Sequence, residues 1–212
     1  NGKQVAYIDS NGAITVRDLS AKTLTTRKAG VFPHYDATMR WIRTNTLAFL
    51  SRPSAHTKGE LWEFDLQTKN IKLLDSGLGL INTWSPDGIF QLRFSLDGAR
   101  GGAMQFLDEK GNARANIAST LPQKCTIDSV RVYCAIARAF SPLLKPLLPD
   151  DYLKRATYSH DTFYVLQPSA EHVESLFASS DPLIDAVNLT VAQGHLLFIN
   201  RYDNKVYSLA LN

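Results

Sequence analysis

The chain has few cysteines, no long apolar run and almost no excess of charge, and each of these limits the possible classes of protein. Among its 212 residues there are two cysteines, and Lys and Arg outnumber Asp and Glu by only 23 to 20. A small basic excess that is scattered along the chain is not the pattern of a nucleic-acid-binding surface. Two cysteines with no histidine beside them do not form a zinc site. We therefore expect no nucleic acid, no bound metal and no other cofactor.

Membrane-spanning and export segments are missing as well. No segment approaches the roughly 18 consecutive apolar residues that indicate a membrane-spanning helix. The start, Asn1-Gly2-Lys3-Gln4, has neither an initiator Met nor the apolar stretch of a signal peptide. An apolar content of 44% is nevertheless enough to form a core in a domain of this length. We expect a membrane connection only through an anchor upstream of Asn1.

Short runs of alternating apolar and polar residues extend along nearly the whole chain. β-Branched and aromatic residues dominate these runs, as in Leu61-Trp62-Glu63-Phe64 and Val206-Tyr207-Ser208-Leu209, and a period of two predicts β-strands. Turn pairs such as Asn11-Gly12, Asp87-Gly88 and Asp97-Gly98 separate the runs and favour tight hairpins. The sequence therefore predicts an all-β protein built from successive hairpins.

One strand motif, with alternating apolar positions followed by an acidic or polar turn, recurs five times. It occurs as AITVRDL, ELWEFDL, AMQFLDE, TFYVLQP and KVYSLAL, at spacings between 43 and 59 residues. Apart from one longer gap, these spacings match the roughly 40 to 50 residues of a four-stranded propeller blade. We predict a single β-propeller domain over residues 1–212, or a large part of a propeller. The repeats lie at about 1–30, 35–76, 79–119, 121–178 and 184–212, the first beginning with its second strand and the last lacking its fourth.

The longer gap contains an insertion, which we predict at residues 139–158. It includes Pro142, Pro146 and Pro149 within an apolar stretch, a composition that does not favour a strand. Long irregular segments in compact folds are often functional or cover another surface. We predict a binding loop that plugs a channel mouth or contacts a partner. Its candidate residues are Phe140, Leu143, Leu144, Leu147, Asp150, Asp151 and Tyr152.

The two cysteines lie in one predicted hairpin. Cys125 and Cys134 flank the turn residues Asp128-Ser129 in the segment KCTIDSVRVYC. An antiparallel hairpin across this turn would bring the two thiols within reach of each other. A disulfide there would persist only in an oxidising compartment. We favour pairing, and the alternative is two buried, inert thiols that behave as small apolar side chains.

No set of residues has the spacing of a known catalytic site. The five histidines show no HxH or i, i+4 spacing, and no GxSxG nucleophile elbow occurs. His160-Asp161 fits either a local acid/base pair or a turn that enters a strand. Asp150-Asp151 fits either the paired carboxylates of glycoside hydrolysis or the start of a short helix. We therefore predict no catalytic residues.

A resemblance to a known family starts at Trp84-Ser85-Pro86-Asp87-Gly88, which is similar to the turn between the first two strands of blades in TolB-like and WD-repeat propellers. The C-terminal part carries more of the likeness, through residues 124–125, 133–138, 148–152, 161–164, 184–189, 197–200 and 206–209. These segments resemble the C-terminal propeller domains of membrane-anchored envelope proteins from uncultured bacterial lineages, some of which carry PEGA domains. The chain differs from that pattern at Ala137, where Pro is usual.

The resemblance implies an extracytoplasmic, anchored propeller in which paired cysteines recur, and it implies little about activity. Propellers offer a rigid face of loops for binding. We therefore predict a non-enzymatic protein-interaction or ligand-binding module of the cell envelope, in the periplasm or at the cell surface, with a protein or another envelope component as its partner. The alternatives are a carbohydrate-active or other hydrolytic propeller and the propeller portion of a larger enzyme.

Overall fold

The protein is described by a computed structural model covering residues 3–20, 25–33, 36–97, 101–117, 120–128, 131–140, 146–167, 172–178 and 183–211. These ranges contain eighteen β-strands, one short α-helix, α1, at Asp150–Leu153, and a 3₁₀ turn at Pro122–Lys124. The prediction of an all-β protein is confirmed.

The strands form five sheets in which strands consecutive in sequence lie side by side. Sheet 1 contains β1 (Gln4–Ile8), β2 (Ala13–Asp18) and β3 (Thr25–Val31). Sheet 2 contains β4 (Ala37–Arg43), β5 (Thr46–Ser51), β6 (Lys58–Asp65) and β7 (Ile71–Leu78). Sheet 3 contains β8 (Ile81–Trp84), β9 (Gln91–Asp97), β10 (Gly101–Leu107) and β11 (Ala113–Ile117). Sheet 4 contains β12 (Cys125–Asp128), β13 (Arg131–Phe140), β14 (Ser159–Gln167) and β15 (His172–Ala178). Sheet 5 contains β16 (Ala186–Ala192), β17 (His195–Asn200) and β18 (Lys205–Ala210).

The five copies of the recurring motif fall on β2, β6, β10, β14 and β18. In the three four-stranded sheets the motif strand is always the third. By the same count, the described part of sheet 1 has strands two to four, and that of sheet 5 has strands one to three. The prediction of about five blade-like repeats is confirmed.

Contacts divide the chain into two compact units. The first unit comprises Asn1–Arg52 and Gly59–Ser76, which contain sheet 1 and most of sheet 2. In its core the rings of Phe32 and Phe49 stack with their centroids 4.1 Å apart. A Cβ on Gly30 would lie 2.6 Å from the ring of Phe64, so only glycine lets this part of β3 approach so closely. A single domain over residues 1–212 stays a prediction.

The second unit comprises Pro53–Lys58 and Gly77–Asn212, and sheet 4 is its middle layer. The period of two places alternate side chains of a strand on opposite faces. In β13, Val132 and Cys134 join an apolar cluster with sheet 3, whereas Tyr133 and Ala135 join a second cluster with sheet 5. The central residues of β13 are therefore apolar on both faces of the strand, because both faces are covered.

The predicted disulfide is present. Cys125 and Cys134 are directly opposite each other in the β12–β13 pair, with their Cα atoms 4.1 Å apart and their sulfurs bonded. Both residues are buried in the cluster with sheet 3. The bond fixes the register of the first hairpin of sheet 4.

The insertion begins later than the sequence indicates. Strand β13 runs as far as Phe140, because Ala139 and Phe140 pair with His160 and Ser159 of β14 after a bulge at Ala137. The first two residues of the predicted loop at 139–158 therefore belong to a sheet. The predicted binding residues Leu143 and Leu144 lie outside the described part of the chain.

Replacing both cysteines (C125A/C134A) should lower the free energy of unfolding by about 3 kcal/mol, because a disulfide across a short loop restricts the unfolded chain by about this amount. Denaturation in guanidinium chloride measures the change. Wild-type protein with reductant is the control, since it loses the bond and keeps the side chains. Equal unfolding midpoints for the variant and the oxidised wild type would contradict the prediction.

Candidate functional site

A cluster of six buried polar side chains lies in the second unit, where sheet 4 meets sheet 5. Its members come from the ends of separate elements, and we call it the Lys124 cluster. Lys124 closes the 3₁₀ turn before β12, Tyr152 lies in α1, Ser159 and Asp161 begin β14, Asp185 precedes β16 and Arg201 follows β17. Each of these side chains is at most 5% exposed.

Hydrogen bonds donated by backbone N–H groups hold the starts of β14 and β16 against each other. The Asp161 N–H donates to the carbonyl of Ile184, and the Ala186 N–H donates to Asp161 Oδ2 at 2.7 Å. The Asp185 N–H donates to Asn200 Oδ1 at 3.0 Å. An aspartate near the start of a strand can accept hydrogen bonds from backbone N–H groups that the ladder leaves unpaired, because its side chain is short.

Lys124 is the centre of the cluster. Its Nζ lies 2.7 Å from both Asp161 Oδ2 and Asp185 Oδ1, and it donates to Ser159 Oγ at 2.9 Å. The Tyr152 hydroxyl is 3.0 Å from the same nitrogen and donates to Asp185 Oδ1 at 2.5 Å. The three ammonium protons therefore face four oxygens, so every donor of the buried lysine has an acceptor.

Arg201 completes the charge balance. Its Nη1 donates to Asp185 Oδ2 and its Nη2 to the carbonyl of Tyr152, both at 2.9 Å. The guanidinium stacks 3.9 Å from the ring centre of Tyr152 and 4.8 Å from that of Tyr158, a favourable placement over aromatic faces. With Lys124 and Asp161, the cluster contains two cations and two anions, so no net charge is buried.

The pKa values of the cluster follow from burial and ion pairing. Burial alone would lower the pKa of Lys124, but Asp161, Tyr152 and Asp185 outweigh it and raise the pKa above its ordinary value. Burial would raise the pKa of Asp185, but Lys124 and the hydrogen bonds from Lys124 and Tyr152 lower it. Burial raises the pKa of Tyr152 to about 12. At neutral pH the lysine is therefore charged and the tyrosine protonated.

Asp161 differs from Asp185 in the direction of its shift. Burial raises the pKa of Asp161, and the attraction of Lys124 opposes that change. Its two oxygens nevertheless accept hydrogen bonds from Lys124, Ala186 and Ser159. Donors on both oxygens favour the ionised form, and we assign Asp161 as a carboxylate paired with the lysine.

The arrangement suits structural work more than chemistry on a substrate. The ionised groups of the Lys124 cluster are buried, and each of them makes ion pairs or hydrogen bonds within the cluster. Removing one partner of such a buried group leaves an unpaired charge, which is strongly destabilising. The cluster therefore ties the start of sheet 4, the start of sheet 5 and α1 into one arrangement.

The residues of the predicted binding loop divide into buried and exposed ones. Asp150 is 9% exposed and its Oδ2 accepts a hydrogen bond from the Ala55 N–H at 2.5 Å, while Tyr152 belongs to the Lys124 cluster. Asp151 accepts a hydrogen bond from the Leu147 N–H at 2.7 Å. Asp150 and Asp151 form the first turn of α1 without capping it through their side chains. Leu147 remains 43% exposed.

Asp161, which the sequence offered as half of an acid/base pair, has another role. Asp161 is not available for an acid/base pair, because its carboxylate binds Lys124.

Across the described ranges, no three His, Cys, Asp or Glu side chains are grouped so that they could hold a metal ion. In the same ranges, no helix is both long and apolar enough to cross a membrane.

Sequence reasoning missed Lys124, Asp185 and Arg201 as members of a site. Lys124 and Asp185 are 61 residues apart, and Asp185 and Arg201 are 16 apart, so no local spacing connects them. The available signal was weak: Asp185 lies between Ile184 and Ala186, directly before a strand. A charged residue within an apolar run at a strand start indicates a buried partner but does not identify it.

Solved structures similar to this chain are β-propellers. The β-propeller domain of the Trilobed protease from Pyrococcus furiosus matches 99% of this chain and 66% of its own length, with 14% identity and a TM-score of 0.59. The tricorn protease matches 94% of this chain and 18% of its own, with 11% identity and a TM-score of 0.57. TolB from Acinetobacter baumannii matches 98% and 51%, with 17% identity and a TM-score of 0.48.

No protein-family model and no curated protein matches the chain. The chain spans just under two thirds of the Trilobed protease propeller and smaller shares of the other two structures. At these identities, similarity of structure establishes the fold and not the activity. The two protease matches, with TM-scores above 0.5, show that the chain has a β-propeller fold.

Lys124→Met should lower the free energy of unfolding by about 3 to 5 kcal/mol, because it removes the ammonium group that pairs with the buried carboxylates of Asp161 and Asp185. Thermal and chemical denaturation measure the loss. Lys154→Met is the matched control, since the Lys154 side chain is 68% exposed and its loss should leave the midpoint unchanged. Equal midpoints for the two variants would contradict the structural role of Lys124.

Alkaline pH should destabilise the wild type through the same cluster. Lys124 and Tyr152 hold their protons to higher pH in the folded chain than in the unfolded chain, so their stabilisation is complete below about pH 10 and is lost above it. Between about pH 10 and 12 the free energy of unfolding should fall by up to about 1.4 kcal/mol per pH unit for each group. Urea denaturation across this range measures the slope. The slope should be smaller for Lys124→Met, and equal slopes would contradict the assignment.

Proposed function

We propose that this propeller is a non-enzymatic protein-interaction module that works outside the cytoplasm, and that the segment around α1 is part of its binding surface. The observation that carries the proposal is the contrast between buried and exposed side chains within this segment. Asp150 and Tyr152 are held in the interior, whereas Leu147 and Leu153 keep 43% and 44% of their surface exposed. Two apolar side chains on a backbone segment that is already held in place lose little conformational entropy when a partner covers them.

Buried polar contacts anchor the segment around α1. Tyr152 is bonded to Asp185 and lies against Lys124 and Arg201. Asp150 reaches back to the backbone at Ala55. Charge-assisted hydrogen bonds of this kind are about twice as strong as neutral ones. The anchoring supports a preformed surface at α1, to which a partner binds without first ordering a loop.

The disulfide supports a location outside the cytoplasm. Disulfides persist in oxidising compartments and are rare in the cytosol. The Cys125–Cys134 bond lies inside the apolar core between sheets 3 and 4, where it has no access to substrates, so a structural role fits better than a redox one. The presence of the disulfide and its burial in the core both agree with a periplasmic or surface-exposed envelope protein of the TolB-like kind. Such a protein would be held by an anchor elsewhere in its chain.

A hydrolytic propeller is the second candidate, and one observation favours it. Asp161 lies in sheet 4 and Asp185 directly precedes sheet 5. Both carboxylates form ion pairs with the Lys124 ammonium group, and their pKa values are shifted in opposite directions. Separated pKa values are typical of an acid and base pair. Both carboxylates are, however, fully buried and hydrogen-bonded within the cluster. The interaction module therefore remains the better proposal.

The binding surface can be tested by photo-crosslinking in cells that make the protein. Benzoylphenylalanine at position 147 should give one or a few discrete crosslinked proteins, because the side chain is exposed on a fixed base. The same probe at Lys110, an exposed turn position of sheet 3, is the control and should give none of these bands. Leu153→Asp in the protein that carries the probe at position 147 should remove them without changing the melting temperature. Identical band patterns at both positions would contradict the proposal.

The compartment can be tested by alkylating intact cells before the protein is isolated and measuring its mass. We expect no alkylated cysteine in the native protein and two after reduction, because the bond forms only in an oxidising environment. Protein expressed in a reducing cytosol is the control and should carry two alkylated cysteines after unfolding without reductant. Two labelled cysteines in the native material would remove the support for an extracytoplasmic location.

A further inference from the structure

The Lys124 cluster holds an amine nitrogen and a carboxyl group in direct contact inside the protein. Lys124 Nζ lies 2.7 Å from Asp161 Oδ2, and the two side chains are at most 3% exposed. An amine and a carboxyl group condense to an amide when one water molecule leaves. Well-oriented groups within one molecule react with effective concentrations on the order of 10⁵ M or more. The same contact that forms the ion pair therefore also favours a covalent bond.

Of the two carboxylates that contact Lys124, Asp161 is the better electrophile. Asp185 is held in its ionised form by Arg201 at 2.9 Å and by the Tyr152 hydroxyl at 2.5 Å, and an ionised carboxylate resists attack by an amine. Burial raises the pKa of Asp161, which favours its acid form. A proton that moves from the Lys124 ammonium to Asp161 leaves an amine beside a carboxylic acid and changes no net charge.

Ser159 lies between the two carboxylates and provides a proton path. Lys124 Nζ donates to Ser159 Oγ at 2.9 Å, and this hydroxyl donates to Asp161 Oδ1 at 2.8 Å. The same Oγ lies 3.0 Å from Asp185 Oδ1, which itself lies 2.7 Å from Lys124 Nζ. Asp185 can therefore take a proton from the lysine and pass it through the Ser159 hydroxyl to Asp161 Oδ1.

The Ala186 N–H faces the oxygen that gains charge during the reaction. It donates to Asp161 Oδ2 at 2.7 Å, and attack of an amine on Asp161 Cγ places negative charge on that oxygen. A backbone donor that is already fixed at this distance stabilises an oxyanion without reorganisation. Asp161 Oδ1 is then the leaving oxygen, and Oδ2 becomes the oxygen of the amide.

We propose that Lys124 and Asp161 form an intramolecular amide bond after the chain has folded. The bond between Lys124 Nζ and Asp161 Cγ forms, and the bond between Cγ and Oδ1 of Asp161 breaks. Of the three ammonium protons, one stays on the amide nitrogen and two leave with Oδ1 as water. No oxidant, reductant or further reactant is needed. The ion pair is the state from which the reaction starts, and the alkaline titration of Lys124 belongs to that state.

The bond leaves the buried cluster balanced in charge. It removes one cation and one anion, and the remaining Arg201 and Asp185 are paired with each other at 2.9 Å. A neutral amide also avoids the desolvation penalty that a buried ion pair carries. Lys124 directly precedes Cys125, which is bonded to Cys134. Two covalent bonds at neighbouring residues would thus tie β12 to β13 and to β14.

Mass spectrometry of the purified protein, after reduction and alkylation of the disulfide, tests the proposal. The intact mass should be lower than the mass of the alkylated sequence by the mass of one water molecule. A trypsin digest should show no cleavage after Lys124 and should contain one species that joins the peptide of Lys124 to the peptide of Asp161. The fraction of protein with this bond should increase with time after refolding from denaturant.

Lys124→Arg is the matched control, because it keeps a cation in the cluster but replaces the amine by a guanidinium, which does not attack a carboxyl group. This variant should have its full mass. Dehydration of Asp87-Gly88 or Asp97-Gly98 to a succinimide also removes one water molecule. It would persist in Lys124→Arg and would not join two peptides, so the digest distinguishes it from the proposed bond.

Asp185→Asn tests the proton path. It keeps Lys124 beside Asp161 and removes the carboxylate that accepts the lysine proton, so bond formation should become slower by about 100-fold or more. Circular dichroism checks that the variant is folded. The measurement on the wild type does not depend on this variant, because the joined peptides are detected in the unmodified sequence.

Three results would overturn the proposal or one of its assignments. A wild-type protein that keeps its full mass after prolonged incubation would show that the ion pair is the final state. A peptide that joins Lys124 to Asp185 would contradict the choice of Asp161 as the electrophile. Equal rates of bond formation in the wild type and in folded Asp185→Asn would contradict the role of Asp185.

Discussion

The ion pairs of the Lys124 ammonium group with two buried carboxylates are the interaction on which the structure of the second unit depends. The ammonium group joins residues from the start of β14, the start of sheet 5 and α1, which lies between β13 and β14. A buried charge costs several kcal/mol unless its partners are in place. Each of these elements therefore has a stable position only when the others have reached theirs, and the cluster couples local strand starts into one cooperative arrangement.

Apolar packing and the polar cluster contribute different things to the same structure. The clusters on the two faces of sheet 4 supply the driving force, which is proportional to buried area and has little direction. They would tolerate small shifts of one sheet on another. Hydrogen bonds and ion pairs at 2.7 to 3.0 Å around Lys124 tolerate no such shift. The polar cluster thus selects one relative placement among those that apolar packing would allow.

This use of charge also limits where function can lie. The strongest ionic groups of the second unit are committed to each other in the interior, so the proposed binding surface consists of exposed apolar side chains. The segment around α1 joins the two roles, because Tyr152 lies in the cluster and Leu147 and Leu153 are exposed on the surface.

The sequence by itself determined the strands, the five repeats and the cysteine pair, because each of these depends on residues close together in the chain. Alternation of apolar residues sets a strand and its buried face, and the hairpin turn brings Cys125 opposite Cys134. The extension of β13 to Phe140 was not predictable, because it depends on pairing with Ser159 across the insertion. Only the tertiary structure decided the Lys124 cluster: its partners lie 28 to 61 residues away from Lys124 along the chain, and a buried ion pair is defined by where side chains meet and not by any spacing between them.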